Sequence, residues 1–210
     1  QAGLVRVAAS VPPAMSLLPD ILASYRARYP DVLLRSHVAP IGSLVALLRA
    51  GDAALAMAMD DQMTPDISVE HLGVTTFCCL LPKTHPLAER ESVSFADLQG
   101  QTVISYRAPT RPREELDQAA RKKGLVFSAQ LEIEVSISAV GFVQAGLGVA
   151  VVDDLLPWKQ FEGVTTRPLQ DSPDLPLSLL SLAGKTLSRA EEGMRDEIRK
   201  LCASRLPARP

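Results

Sequence analysis

Residues 5–32 read VRVAASVPPAMSLLPDILASYRARYPDV, and the alternation of apolar and breaking residues within them decides the fold class. Val5 to Ala9 is a short apolar run of strand length, bounded by the hydroxyl of Ser10 and the rigid Pro12-Pro13 step. Apolar side chains then recur at Met15, Leu18, Leu22, Tyr25 and Tyr29, the spacing of one helical face. The pattern predicts a strand followed by a helix over residues 14–29. Pro19 fits there only in the first turn, where no intrahelical donor is lost, and Pro30 stops the helix. A small hydroxyl and two prolines between a buried strand and a helix start serve either as punctuation or as one wall of a ligand site.

Working outward, DVLLRSHV (31–38) reads as a strand, GSLVALLRAG (42–51) as a helix closed by Gly51, and AALAMAM (53–59) as a third strand. Continuous apolar strands in a βαβαβ order imply a parallel sheet covered on both faces. ISVEHLG (67–73) and TTFCCLLP (75–82) are further strands, followed by a polar, irregular stretch over 83–101 with a short helical turn. TVISY (102–106) is a strand, and residues 111–123 read as a helix with Glu114-Glu115 at its start and Lys122-Lys123 at its end. A strand over 129–133, a helix over 136–145 and the strand GVAVV (148–152) complete a second α/β unit. VTTRPL (164–169) and PLSLLSLAG (176–184) are late strands. The last helix opens on a capping box at Ser188 and Glu191, with an apolar stripe at Leu187, Ala190, Met194, Ile198 and Leu201.

The totals narrow the function classes. With 210 residues, 47% hydrophobic and 22% charged, the chain is long enough for one large domain or two small ones. A net charge of −2 offers no overall basic field for nucleic acid. No run of 18 apolar residues is present, which speaks against a membrane span. The first residues lack the basic and apolar regions of a signal peptide, as those of a mature secreted chain would also do. Cys78, Cys79 and Cys202 make an odd count, with the first two in an apolar run, which favours a reduced, cytoplasmic setting.

Catalytic patterns are missing from the sequence: there is no Gly-x-Ser-x-Gly, HExxH, CxxC or P-loop. His37, His71 and His85 stand far apart without acidic or cysteine partners at ligand spacing, so structural or surface roles are expected and no metal or cofactor is assigned. The glycines of AGLGVAVV (145–152) follow a helix and precede a strand, the reverse of a dinucleotide fingerprint. What remains is binding geometry. In open parallel sheets, ligands collect beyond the carboxyl ends of strands, beside helix N-termini. Five such joints occur: Ser10, Val11 and Pro12; Ile41, Gly42 and Ser43 after Pro40; Met59 and Asp60; Ser105, Tyr106 and Arg107; and Ser136, Ile137 and Ser138. Taken singly, Ser10, Ser43 and Ser136 are also explained as helix caps, and Asp60 as a solvated loop charge. Their convergence indicates binding rather than catalysis.

Several stretches, in order, add a resemblance. GLVRVAAS (3–10), LLPDILASYRARYPDVLL (17–34), LVALLRAGDAALAMA (44–58), LLPKTHPLAERESVSFADLQGQTVI (80–104) and VQAGLGVAVVDDLLP (143–157) together resemble the effector-binding domain of LysR-type transcriptional regulators. The resemblance runs from Gly3 to about residue 200, and its most specific element is the HPLA…DL spacing. It implies an α/β fold of two Rossmann-like lobes joined by two crossing strands, like the type 2 periplasmic binding proteins. Lobe one would take residues 1–77 and 181–210, and lobe two residues 78–180. The resemblance also implies an N-terminal winged helix-turn-helix, the DNA-binding part, lying outside this chain. A small-molecule effector would enter the inter-lobe cleft at the joints named above, and self-association as a dimer, and as a tetramer in the full-length protein, would carry the signal. Two positions depart from the family pattern: Ala54 stands where an acidic residue is common, with Asp52 nearby, and Ile41 stands where a hydroxyl residue is common. Helix N-termini and Arg107 suit a carboxylate, Asp60 an amine, and Met57, Met59 and Tyr106 an apolar portion, so an organic acid or an amino-acid-like effector is expected. The alternatives are a transporter's solute-binding protein of the same fold, and an enzyme on that fold, for which no nucleophile or base can be named.

Overall fold

The structure, a computed structural model, describes residues 3–207; the outermost residues of the expected lobe-one range lie outside those described. The chain opens with β1 (Leu4–Ala9), α1 (Val11–Ser16), α2 (Leu18–Arg28), β2 (Leu33–Val38), α3 (Ile41–Ala50) and β3 (Leu55–Ala58). β4 (Ile67–Thr75), β5 (Phe77–Pro82), β6 (Val103–Tyr106), α4 (Arg111–Lys122) and β7 (Leu131–Ile133) follow. Next come α5 (Ala139–Gln144), β8 (Val149–Asp153), β9 (Val164–Pro168), β10 (Leu175–Leu182) and α6 (Arg189–Arg205). Short 3-10 turns occupy Pro86–Glu89, Ser136–Ser138 and Trp158–Gln160.

The chain divides into two compact units, the first running up to Val74 and again from Pro176, the second Thr75–Leu175, against expected limits at 77 and 181. The first unit holds a sheet of order β2-β1-β3-β10-β4 and the second a sheet of order β7-β6-β8-β5-β9. Neither sheet is wholly parallel as the apolar strand runs suggested. β1 pairs parallel with β2 and β3, but β10 runs against β3. Likewise β6 is parallel to β7 and β8, whereas β5 is antiparallel to β8 and β9. The βαβ crossovers make the parallel pairs, and β5 and β10, whose apolar runs look no different, enter each sheet in the opposite sense.

The expected helix over 14–29 is two helices. It starts earlier, at Val11, and breaks at Leu17, whose φ of −121° is not helical. Pro19 is the cause: its ring offers no N–H and would meet the Met15 carbonyl in a continuous helix. Restarting at Leu18 puts Pro19 in a first turn, where it is tolerated. The break also rotates the buried face to Leu18, Ile21 and Tyr25, leaving Met15 and Tyr29 partly in solvent. The expected helix over 136–145 likewise begins as the 3-10 turn before α5.

α6 carries the expected capping box, Ser188 Oγ accepting from the Glu191 amide and Glu191 from the Ser188 amide. Its buried side is Met194, Ile198 and Cys202, together with Glu197, a charge the apolar stripe did not include. Glu197 is met there by the Ser24 hydroxyl at 2.8 Å and the Arg28 guanidinium at 3.1 Å, while Tyr25 Oη donates to the Ala190 carbonyl at 2.8 Å.

The HPLA…DL stretch has a structural explanation. His85 Nδ1 accepts from the Leu87 amide at 3.1 Å, capping the turn Pro86–Glu89 and burying Leu87 and Ala88. Arg167 of β9 donates to the carbonyls of Ala88 and Arg90, the latter at 2.7 Å. Asp97 accepts from the Ser94 amide and hydroxyl, each at 2.9 Å, and from Arg90 at 2.6 Å. These donors, the Ser94 amide foremost, hold its carboxyl below the usual range. The stretch ties an irregular connection to the sheet.

Gly148 stands just before β8, where a Cβ would lie 2.2 Å from the Thr102 carbonyl oxygen, which itself accepts from the Val149 amide at 3.0 Å. Gly146, with φ of +77°, has open space around it. Gly148→Ala is expected to cost roughly 3 kcal/mol or more by displacing β8 from β6, and Gly146→Ala only about 1–2 kcal/mol of backbone strain. Urea unfolding of the two variants measures the difference.

Candidate functional site

In the first unit the carboxyl ends of β2, β1 and β3 lie side by side, because Ala9 pairs with Val38 on one side and Met57 on the other. That register brings Ile41, Gly42 and Ser43, then Ser10, Val11 and Pro12, then Met59 and Asp60 to one edge of the sheet. Ser10 continues β1 in extended conformation, its amide donating to the Met57 carbonyl at 3.0 Å and its carbonyl accepting from the Ala14 amide at 3.0 Å. The residue is only 6% exposed, yet its side chain makes no cap bond to α1, and its Oγ meets no hydrogen-bond partner among the described residues. The helix-cap explanation therefore does not account for this hydroxyl. Pro12 is buried behind it and Val11 half-buried.

The neighbouring joints are more open. α3 begins after Pro40 with no side-chain cap, and Ser43, on the third residue, is exposed with its amide on the Pro40 carbonyl at 2.9 Å. Gly42 is exposed, and Ile41 packs against the buried cluster beneath α3. Met59 is buried, and Asp60, half-buried, accepts the Gln62 amide at 2.9 Å in a turn.

The second unit treats its hydroxyls differently. Ser105 is fully buried and donates to the Val151 carbonyl at 2.7 Å. Ser136 and Tyr106 both donate to Asp153 Oδ2, at 2.7 and 3.0 Å, and Tyr106 Oη accepts the Asp153 amide at 2.9 Å. Asp153 Oδ1 takes the amides of Leu155 and Leu156, at 3.1 Å each. Its carbonyl accepts from the Trp158 indole at 2.7 Å. Burial raises the Asp153 carboxyl above its ordinary range, against these donors, and burial likewise pushes the Tyr106 hydroxyl up. Arg107 is exposed and pairs with Glu134 at 3.3 Å; Ser138, also exposed, donates to the Val135 carbonyl at 2.7 Å; and Ile137 is half-buried. With its proton held by Asp153, Ser136 Oγ keeps only acceptor capacity for anything else.

Asp153 escaped the sequence reading. The signal was there in VVDD (151–154), a carboxylate closing an apolar strand, but burial and partners emerge only when β8 lies beside β6. The cysteines are free and buried, and burial drives the Cys79 thiol up to about 12, so no thiolate nucleophile is offered. Among the described residues, no group of three or more His, Cys, Asp or Glu is placed to hold a metal ion, and no helix is long and apolar enough to cross a membrane.

The model of the LysR substrate binding domain matches residues 1–203. The chain belongs to this family. Among curated relatives, an uncharacterized HTH-type transcriptional regulator, YfeR of Shigella flexneri, is 26% identical over 94% of this chain and 64% of its own length. Regulatory protein NocR of Agrobacterium tumefaciens is 26% identical over 72% of this chain and 50% of its own length. The chain thus spans between half and two-thirds of the length of these relatives. Among solved structures, the effector binding domain of QuiR in complex with shikimate superposes with a TM-score of 0.86 at 16% identity, covering 98% of this chain and all of that one. The BenM effector binding domain with its effector benzoate gives 0.83 at 20% identity, covering 99% and 96%. The fold is therefore that of LysR effector-binding domains, the type 2 periplasmic-binding-protein class.

Within this LysR domain, Asp153→Ala is expected to lower stability by roughly 3 kcal/mol or more, since it strands two hydroxyls and two amides. The pH dependence has a definite sign. A carboxyl raised by folding binds its proton more readily in the folded chain, so its contribution is greatest below the unfolded value of about 3.9 and declines as pH rises through the folded one. Denaturant titrations from about pH 4 upward should show that decline in the parent and a flatter profile in Asp153→Asn.

Proposed function

We propose that this LysR-family domain is the ligand-sensing part of a transcriptional regulator, and that a small organic acid or amino-acid-like metabolite binds at the Ser10 edge of the first unit. The observation that carries this reading is the buried Ser10 hydroxyl, on a residue only 6% exposed, unused as a cap and unpartnered among the described residues. Leaving such a group without a partner costs about 1–3 kcal/mol, so a site that can supply the partner gains that much when ligand arrives. The open start of α3 adds amides of positive character beside it.

Val11, Pro12, Ile41, Gly42, Ser43, Met59 and Asp60 are the proposed neighbours, with Asp60 facing an amine where the ligand has one. In the second unit Arg107 and the turn Ser136–Ser138 are the candidates, whereas Ser105 and Tyr106 act as scaffold around Asp153. The relatives are transcriptional regulators, which favours this reading over a transporter's solute-binding protein. DNA contact would belong to a helix-turn-helix part outside this chain, in a cytoplasmic homo-oligomer. The ligand would act by binding one conformation of the domain better than another, since only differential affinity moves an equilibrium.

A thermal-shift screen against pooled carboxylates and amino acids tests the proposal. A ligand at about 100 times its dissociation constant should add roughly 2.7 kcal/mol of stability. Ser10→Ala should weaken that hit about tenfold while leaving the ligand-free domain folded. A hit indifferent to Ser10 would move the site elsewhere.

A further inference from the structure

On the sheet of the first unit, Ser10 Oγ, His37 Nε2 and Ser178 Oγ are polar atoms buried without a hydrogen-bond partner among the described residues. They lie far apart in sequence, on β1's end, β2 and β10, but the strand registers put them on one face. His37 pairs with Ala8, and Ala8 with Ala56. Ser178 pairs with Ala58, and Ser10 follows Ala9, whose partner is Met57, so Ser10, Ala58 and Ser178 form a second row. Registered neighbours in a sheet share a face. Ala8, Ala56 and Ala58 all pack with Leu44 and Leu48 of α3, which fixes that face as the one α3 covers.

We infer that the ligand site at Ser10 continues along the sheet face under α3 to His37 and Ser178, and that it takes a small carboxylic acid bearing a second hydrogen-bonding group. The inference rests on the sensor reading above. His37 is one strand from Ser10 on the diagonal, roughly 7 Å away, close enough for both to donate to a single carboxylate. Ser178 is two strands from Ser10, roughly 10 Å away, beyond reach of the same carboxylate. Its hydroxyl can both donate and accept, so it suits a hydroxyl or amide on the far side of the ligand. The residues between these groups are Ala8, Ala39 and Ala58, each with a single methyl as its side chain. The ten-residue helix α3 starts without a side-chain cap next to His37's strand, adding positive character on the carboxylate side.

The test uses the 210-residue chain and two matched pairs of probes: benzoate with para-hydroxybenzoate, and cyclohexanecarboxylate with shikimate. The hydroxylated member of a pair should bind about tenfold tighter or more, and Ser178→Ala should erase that advantage. His37→Phe should weaken both members of the pair about tenfold, with His37→Gln, which keeps a donor, retaining more of the affinity. Without ligand, Ser178→Ala should leave the thermal midpoint unchanged or higher, because it removes an unpaired buried hydroxyl. An acid whose affinity falls in Ser10→Ala but is equal within its pair and unmoved by His37→Phe and Ser178→Ala would overturn this inference and leave the sensor reading intact. No response to any of the four acids would overturn the ligand class. A ligand-free midpoint lowered by about 3 °C or more in Ser178→Ala would show that its hydroxyl is satisfied within the fold, and would also overturn the inference.

Discussion

A hydroxyl or imidazole nitrogen taken out of water must meet a partner or cost the fold about 1–3 kcal/mol, and this requirement separates the two units. In the second unit it is met internally. Asp153 gathers Ser136, Tyr106 and the amides of Leu155 and Leu156 onto one carboxylate, and Ser105 spends its proton on the Val151 carbonyl. In the first unit the hydroxyls of Ser10 and Ser178 and the Nε2 of His37 are buried with no such answer among the described residues. A strand-to-helix joint bearing a serine thus has opposite meanings in the two units. Around Asp153 it locks the sheet to its connections, whereas at Ser10 it leaves a hydroxyl without a partner among the described residues.

The departures from the family pattern fit this contrast. Ala54 is buried where an acid is common, its amide donating to the Arg6 carbonyl at 2.9 Å. Asp52 does not replace that acid: it is exposed, and its amide donates to the Leu47 carbonyl at 2.9 Å as part of the turn closing α3 at Gly51. The apolar Ile41 joins the cluster beneath α3 instead of offering a hydroxyl. The buried polar character of this edge therefore falls on Ser10.

Much of the architecture was legible because it is written in local chemistry. The α/β order, the stop of α3 at Gly51 and the capping box of α6 depend on residues within a few positions of one another. Strand direction, register and burial depend on residues far apart. For that reason the antiparallel entry of β10 and the buried charge of Glu197 could not be read from their own segments. The same holds at the site. Ser10, Ile41 and Met59 could be chosen as strand-end residues, but His37 was dismissed as an isolated histidine, because only the pairing of β2 with β1 puts it on Ser10's face. Asp153 and Ser178 looked like the end and the middle of ordinary strands. The break at Leu17 was written locally in Pro19, yet the rest of the apolar pattern concealed it.

The most direct test of the central claim is a two-dimensional amide NMR titration of the chain with a small carboxylate that stabilises it. The account predicts shifts concentrated at Ser10 and Val11, at His37, at the start of α3 and at Ser178. An open groove of about 340 Å³ in the second unit, between Gln101 and Val126, gives a clear contrast. Shifts confined to that groove, with Ser10 and the start of α3 unmoved, would contradict the account.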